Sequence, residues 1–145
     1  MQTLAQLQAR MAGANAADAL AAARELTNYF IVYNEEYNAL IIKRQDAETS
    51  LFDIAHNPAG VDHAQVLHLQ GLILGIESRM KVLDGKMLAF QASTLAIAPP
   101  GAALVAQVKQ LSAQVAVLIA RDQAIQAIML SLGQIAALVN QAHGS

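Results

Sequence analysis

VAVLIARDQAIQAIM, residues 115–129, is apolar apart from Arg121, Asp122, Gln123 and Gln126. A pair of opposite charges therefore sits inside the least polar part of the chain. The segment reads as the middle of one long helix, and in that reading Asp122 falls on the helix's inward stripe. A lone carboxylate in a helical core costs several kcal/mol unless a cation meets it. Where that cation lies depends on how the rest of the chain is laid out.

Apolar residues at alternating spacings of three and four run along most of the sequence. One run is Leu26, Phe30, Tyr33, Tyr37, Leu40, Arg44, Ala47, Leu51 and Ile54. A second is Val66, Leu69, Ile73, Ile76, Met80, Leu83, Met87, Phe90, Thr94 and Ile97. The third is Leu104, Val108, Leu111, Val115, Leu118, Asp122, Ile125, Met129, Leu132, Ala136 and Val139. A sustained 3.5-residue period predicts coiled-coil-like helix packing. No alternating strand pattern bounded by turns interrupts it.

Breaks occur at Gly13-Ala14-Asn15, where Asn15 and Asp18 resemble a helix cap with an acid in the first turn, at His56–Asp62, a turn that ends in Asp62 as a candidate cap, and at Pro99-Pro100-Gly101. They predict a short helix at about 3–12 and three long helices at about 15–55, 63–97 and 102–142. Leu4, Leu7 and Met11 form one face of the short helix, which should dock at one end. The expected fold is an all-α, elongated antiparallel bundle, with 1–145 as a single domain.

Arg44 and Asp122 are the only charges in their respective stripes. Counting residues from each turn of an up-down-up bundle brings the two to within a turn of each other. They are expected to pair across the core and set the register, with Arg79 as the rival partner.

The faces turned away from the core carry small residues. In the third helix these are Gly71, Ser78, Gly85 and Ala92, beside a leucine column of Leu67, Leu74, Leu88 and Leu95 that only Lys81 breaks. In the fourth they are Ala106, Ala113, Ala120 and Ala127. A glycine inside a helix costs about 1 kcal/mol relative to alanine. Small residues on a repeating face let another helix approach closely. This predicts an outer contact face for another copy, a partner helix, the N-terminal segment or a lipid layer. Against it stands the plain reading, in which the alanines are helix filler and the glycines are drift.

The bulk numbers narrow the function. Charged residues make up 14%, apolar residues 55%, and the net charge is −2 with no basic block, which argues against nucleic-acid binding. With no cysteine there is neither a disulfide framework nor thiolate chemistry. His56, His63, His68 and His143 lack the spacing of a metal site. Glu25, Glu35, Glu36, Glu48 and Glu77 have no histidine three residues on and lie off the core stripes, which argues against a di-metal bundle. No nucleophile elbow or phosphate loop appears. In YFIVYNEEY (29–37), Phe30, Tyr33 and Tyr37 are core by phase.

The expected protein is non-enzymatic, with no cofactor and no metal. It acts through helix-to-helix contact, by self-association or by holding a partner helix, in a structural, adaptor or secretion-associated role. The alternative is an amphipathic protein of lipid or membrane surfaces. A basic n-region with an apolar core is missing at the N-terminus. No run of about 18 apolar residues is free of polar interruption. Both point to the cytoplasm, with export by a route without a cleaved signal left open.

Overall fold

The computed structural model describes residues 1–121 and 125–144. Among them are five helices: α1 (Leu4–Met11), α2 (Ala16–Ala55), α3 (His63–Gln91), α4 (Ala102–Ala120) and α5 (Ile125–Ala142). The architecture is an all-α helical bundle built around α2. At 1.5 Å per residue its 40 residues span about 60 Å, and every other helix packs on it.

Local chemistry explains the helix starts. Thr3 caps α1 in a reciprocal box with Gln6: the Gln6 amide donates to Thr3 Oγ1 at 3.3 Å, and the Thr3 amide donates to Gln6 Oε1 at 2.8 Å. Asn15 accepts from the Asp18 amide at the start of α2, and Asp62 accepts from the Gln65 amide at the start of α3.

The expected single helix over 102–142 is two helices. α4 closes on Arg121, α5 starts at Ile125, and the two pack side by side. Length supplies the reason. The Asn28 side-chain amide donates to the Pro100 carbonyl just before α4 (3.1 Å), so α4 starts level with residue 28 of α2. From there α2 runs only about 40 Å to its end, whereas a continuous helix over 102–142 would run about 60 Å. Its last turns would pass the α2–α3 turn with their apolar face in water. Folding back buries both halves against α2. The exposed Arg121 stands at the reversal, where a charge stays solvated. α2 and α4 therefore run one way, and α3 and α5 the other.

The third helix also stops earlier than the expected residue 97. Ser93 takes a left-handed conformation (φ 57°) and the Thr94 hydroxyl donates to the Ala89 carbonyl at 3.0 Å. Beyond this C-terminal stop the chain is extended and tied down on both sides. Gln2 and Ile97 exchange backbone hydrogen bonds of 2.8 and 2.7 Å, and the Ala98 amide donates to the Ala142 carbonyl at the end of α5 (2.7 Å). The last of these satisfies a carbonyl that the end of α5 leaves open.

Two clusters form the core. The larger joins α2 (Val32, Tyr33, Leu40), α3 (Ile76, Met80, Leu83), α4 (Val108, Val115) and α5 (Ile128, Leu132, Ile135, Val139). The smaller closes one end and contains Leu7, Ala22, Tyr29, Phe90, Ile97 and Ala142. As expected, α1 docks there, with Leu7 wholly buried, although Met11 is 40% exposed. Arg10 adds bonds to Asp18 (2.9 Å) and Glu25 (2.6 Å) of α2. Leu7→Ala should therefore cost about 3 kcal/mol and Met11→Ala less than about 1 kcal/mol. Urea unfolding of the two variants checks the difference; equal losses would contradict the docked position of α1.

Candidate interaction face and buried charges

One heptad column of α2 is buried along its length: Ala22, Tyr29, Glu36 and Lys43. Three of the four carry polar ends, and each of these finds its partner on a different element. Glu36 is wholly buried and is met by Arg79 of α3. The guanidinium donates from Nε to Oε2 at 2.6 Å and from Nη2 to Oε1 at 2.7 Å, a forked pair. Lys43 Nζ donates to Asp46 Oδ2 of its own helix at 2.7 Å. Tyr29 Oη and His143 Nε2, just past the end of α5, are hydrogen-bonded at 2.9 Å.

Glu36 departs from expectation, since the 3-4 count places it off the core stripe. The count follows one seam, but α2 faces α3 on one side and α4 and α5 on another. Its buried surface is therefore about one column wider, and the aromatic assignment shifts with it. Tyr29 is wholly buried, whereas Phe30 and Tyr37 are only partly covered. The signal lay in the period-seven recurrence of Tyr29, Glu36 and Lys43 beside the apolar seam.

The expected pair of Arg44 and Asp122 has one member, Asp122, outside the described residues. Arg44 is half-buried on α2. Its Nη1 lies 3.8 Å from Met80 Sδ, and its Nε is 3.9 Å from Glu48 Oε1 one turn along. Arg79, the rival cation in the sequence reading, makes the forked cross-helix contact, and its partner is Glu36.

Burial sets the protonation of the end cluster. It holds His143 neutral, pushed down to about 4, with Lys86 and Arg79 adding to the effect. Burial pushes the Tyr29 hydroxyl far above its ordinary value, and Tyr33 up to about 12. Phe90 packs edge-on to Tyr29 with ring centroids 4.7 Å apart. The arrangement is a packed polar contact inside an aromatic cluster.

A cleft of about 160 Å³ opens between α3 and α5, with Glu36 and Arg79 in its lining. Gly75 of α3 and Met129, Leu132, Gly133 and Ala136 of α5 also line it. A Cβ added at Gly71, Gly75, Gly85 or Gly133 would meet nothing within 4 Å. Packing within the chain therefore does not require these glycines.

The outer face of α3 is exposed. Leu67, Leu74 and Leu88 are 69%, 64% and 67% accessible, and Gly71, Ser78, Gly85 and Ala92 are exposed with them. Val82, at 48%, belongs to the same face. Leu95 does not. It follows the end of α3 and packs on the end cluster, because the helix stops before the column reaches it. On α4, Ala106, Ala113 and Ala120 are exposed as one column. Ala127 cannot continue that column, because it sits on α5, which runs back the other way.

Among the described residues no group of three or more His, Asp or Glu side chains is placed to hold a metal ion. No family model matches the chain, and neither the curated proteins nor the solved structures compared with it include a match.

Two outcomes follow from the buried charges. Glu36→Leu strands Arg79 and should cost about 3–5 kcal/mol, while adding Arg79→Met should recover most of that loss; additive losses in a double-mutant cycle would contradict the pairing. His143 has a folded value (about 4) below its unfolded one (6.5). Its contribution is therefore complete above about pH 6.5 and is lost as pH falls toward 4, by up to about 3 kcal/mol. Urea midpoints at pH 7.5 and 5, compared between the parent protein and His143→Phe, isolate this part; identical pH dependence in both would refute it.

Proposed function

We propose that the protein catalyses no reaction and works by helix-to-helix contact, with the outer face of α3 as the contact surface and self-association as its first use. A structural, adaptor or secretion-associated role suits such a protein. The observation that carries this reading is the exposure of Leu67, Leu74, Val82 and Leu88 on one face with small residues between them. Single exposed leucines are ordinary on protein surfaces, but an aligned row on one helix is the usual mark of an interaction site. The open space at Gly71, Gly75 and Gly85 agrees with it, since a partner helix can approach a backbone that no side chain covers.

A second reading rests on α4 and α5. By length and composition each is apolar enough to cross a membrane, despite the glutamines that interrupt it. A hairpin of this kind suits a lipid surface. The shortage of flanking Lys and Arg, and the absence of tryptophan, weigh against it, because interfacial helices use both.

Light scattering over a range of concentrations separates these. The expected mass is a multiple of the 15.4 kDa chain. Leu74→Lys, at an exposed site, should return it to one chain while leaving the circular dichroism unchanged. A strict monomer for the parent protein would remove self-association. Flotation with neutral or anionic vesicles at low salt would then support the lipid reading.

A further inference from the structure

We infer that two copies of the chain pair through α3, antiparallel, about a two-fold axis at Ser78. This rests on the self-association reading above and specifies its geometry.

The inference comes from a symmetry in the exposed face. At about 100° per residue, Leu67, Gly71, Leu74, Ser78, Val82 and Gly85 all lie within about 40° of one line down α3. All six are exposed, and none is charged. Along that line the residues are nearly palindromic. Gly71 and Gly85 stand seven positions either side of Ser78, and Leu74 and Val82 stand four either side. Leu67 lies eleven before Ser78, and Leu88, about 80° off the line, lies ten after it.

A closed dimer needs a self-complementary patch, one in which residue i meets j and j meets i. A two-fold axis at Ser78 supplies it. Leu74 of one copy enters the gap between Ser78 and Gly85 of the other. Val82 enters the gap between Gly71, Gly75 and Ser78. Leu67 meets Leu88 at both ends. Large residues then fall on small ones along the middle of the strip, in the knob-and-hole manner of paired helices, with a leucine contact closing each end. The helix-interior glycines, which packing inside the chain leaves unexplained, become the holes.

Charge points the same way. Glu77 and Lys81 flank one side of the strip, and among the described residues neither makes an ion pair. In the antiparallel arrangement Glu77 of each copy lies within a turn of Lys81 of the other, giving two symmetric pairs. A parallel arrangement offers Glu77 and Lys81 no such exchange, because the flank they face carries Arg79, whose guanidinium is held by Glu36, and it leaves Gly71 against Gly71. Rim pairs of this type contribute little affinity but select orientation.

The chain has no cysteine, so single thiols report the register directly. Ser78→Cys, oxidised with copper phenanthroline, should give a covalent dimer in more than half of the protein. Gly71→Cys should not link to itself, because its two copies would lie about 21 Å apart along the axis. Mixed with Gly85→Cys, it should link. Lys81→Glu, which turns both pairs into like-charge contacts, should weaken association several-fold, and adding Glu77→Lys should restore it. Light scattering accompanies each step. A dimer in which Gly71→Cys links to itself overturns the antiparallel register but leaves the contact face standing. A dimer in which no thiol links places the contact elsewhere and overturns both. A monomer at every concentration also overturns both.

Discussion

Glu36 is an acidic side chain with no exposure to solvent, and the bundle is arranged so that it is not alone. Removing a carboxylate from water costs several kcal/mol, and only a close, well-directed cation offsets this. Arg79 makes that contact through two of its nitrogens. The pair therefore fixes the height at which α3 lies along α2. A slide of α3 by one turn would leave both charges without partners. Apolar side chains alone would tolerate such a slide far better, since Leu, Ile, Val and Met recur at each turn of both helices.

The same logic extends along α2. Tyr29 meets His143 and Lys43 meets Asp46, so the middle column of the central helix is polar at three successive heptads. Two of these contacts are made where another part of the chain closes over α2, the end of α5 and the middle of α3, whereas the third lies within α2 itself and carries no information about packing. Polar groups of this kind contribute little net stability when satisfied and much specificity, because an alternative packing leaves them unsatisfied. The low-charge, alanine-rich surface of α4 provides no such direction, so its placement depends on the connections at both of its ends.

A bundle whose register is held from inside leaves its outside free for other uses. The outward face of α3 carries no part of the fold: its leucines touch no core cluster, and its glycines are not needed for close packing. Features that cost stability without serving packing inside the chain are what support the proposed contact face. That reasoning singles out α3 over α4, where exposed alanine and glutamine are ordinary helix-forming residues.

The all-α class, the short docking helix, the start of α2 with its Asn15 cap, the Asp62 cap and the core stripe of α3 were all legible in the sequence. They depend on local propensity, capping and a 3.5-residue period, which are written in neighbouring residues. The exposure of Leu67, Leu74 and Leu88 was legible for the same reason, as the complement of a regular stripe. Three features were not. The reversal after Ala120 was hidden because the apolar period continues across it with the same phase. Only the finite length of α2 makes a continuous helix unfavourable. The burial of Glu36 was hidden because a helix packed on two sides buries a wider face than one seam predicts. The choice of Glu36 as Arg79's partner depends on how two distant helices align, a separation of 43 residues, and no local rule reaches that far. Local chemistry determined which segments are helices. Tertiary packing decided how many there are, which faces are inside, and which charges meet.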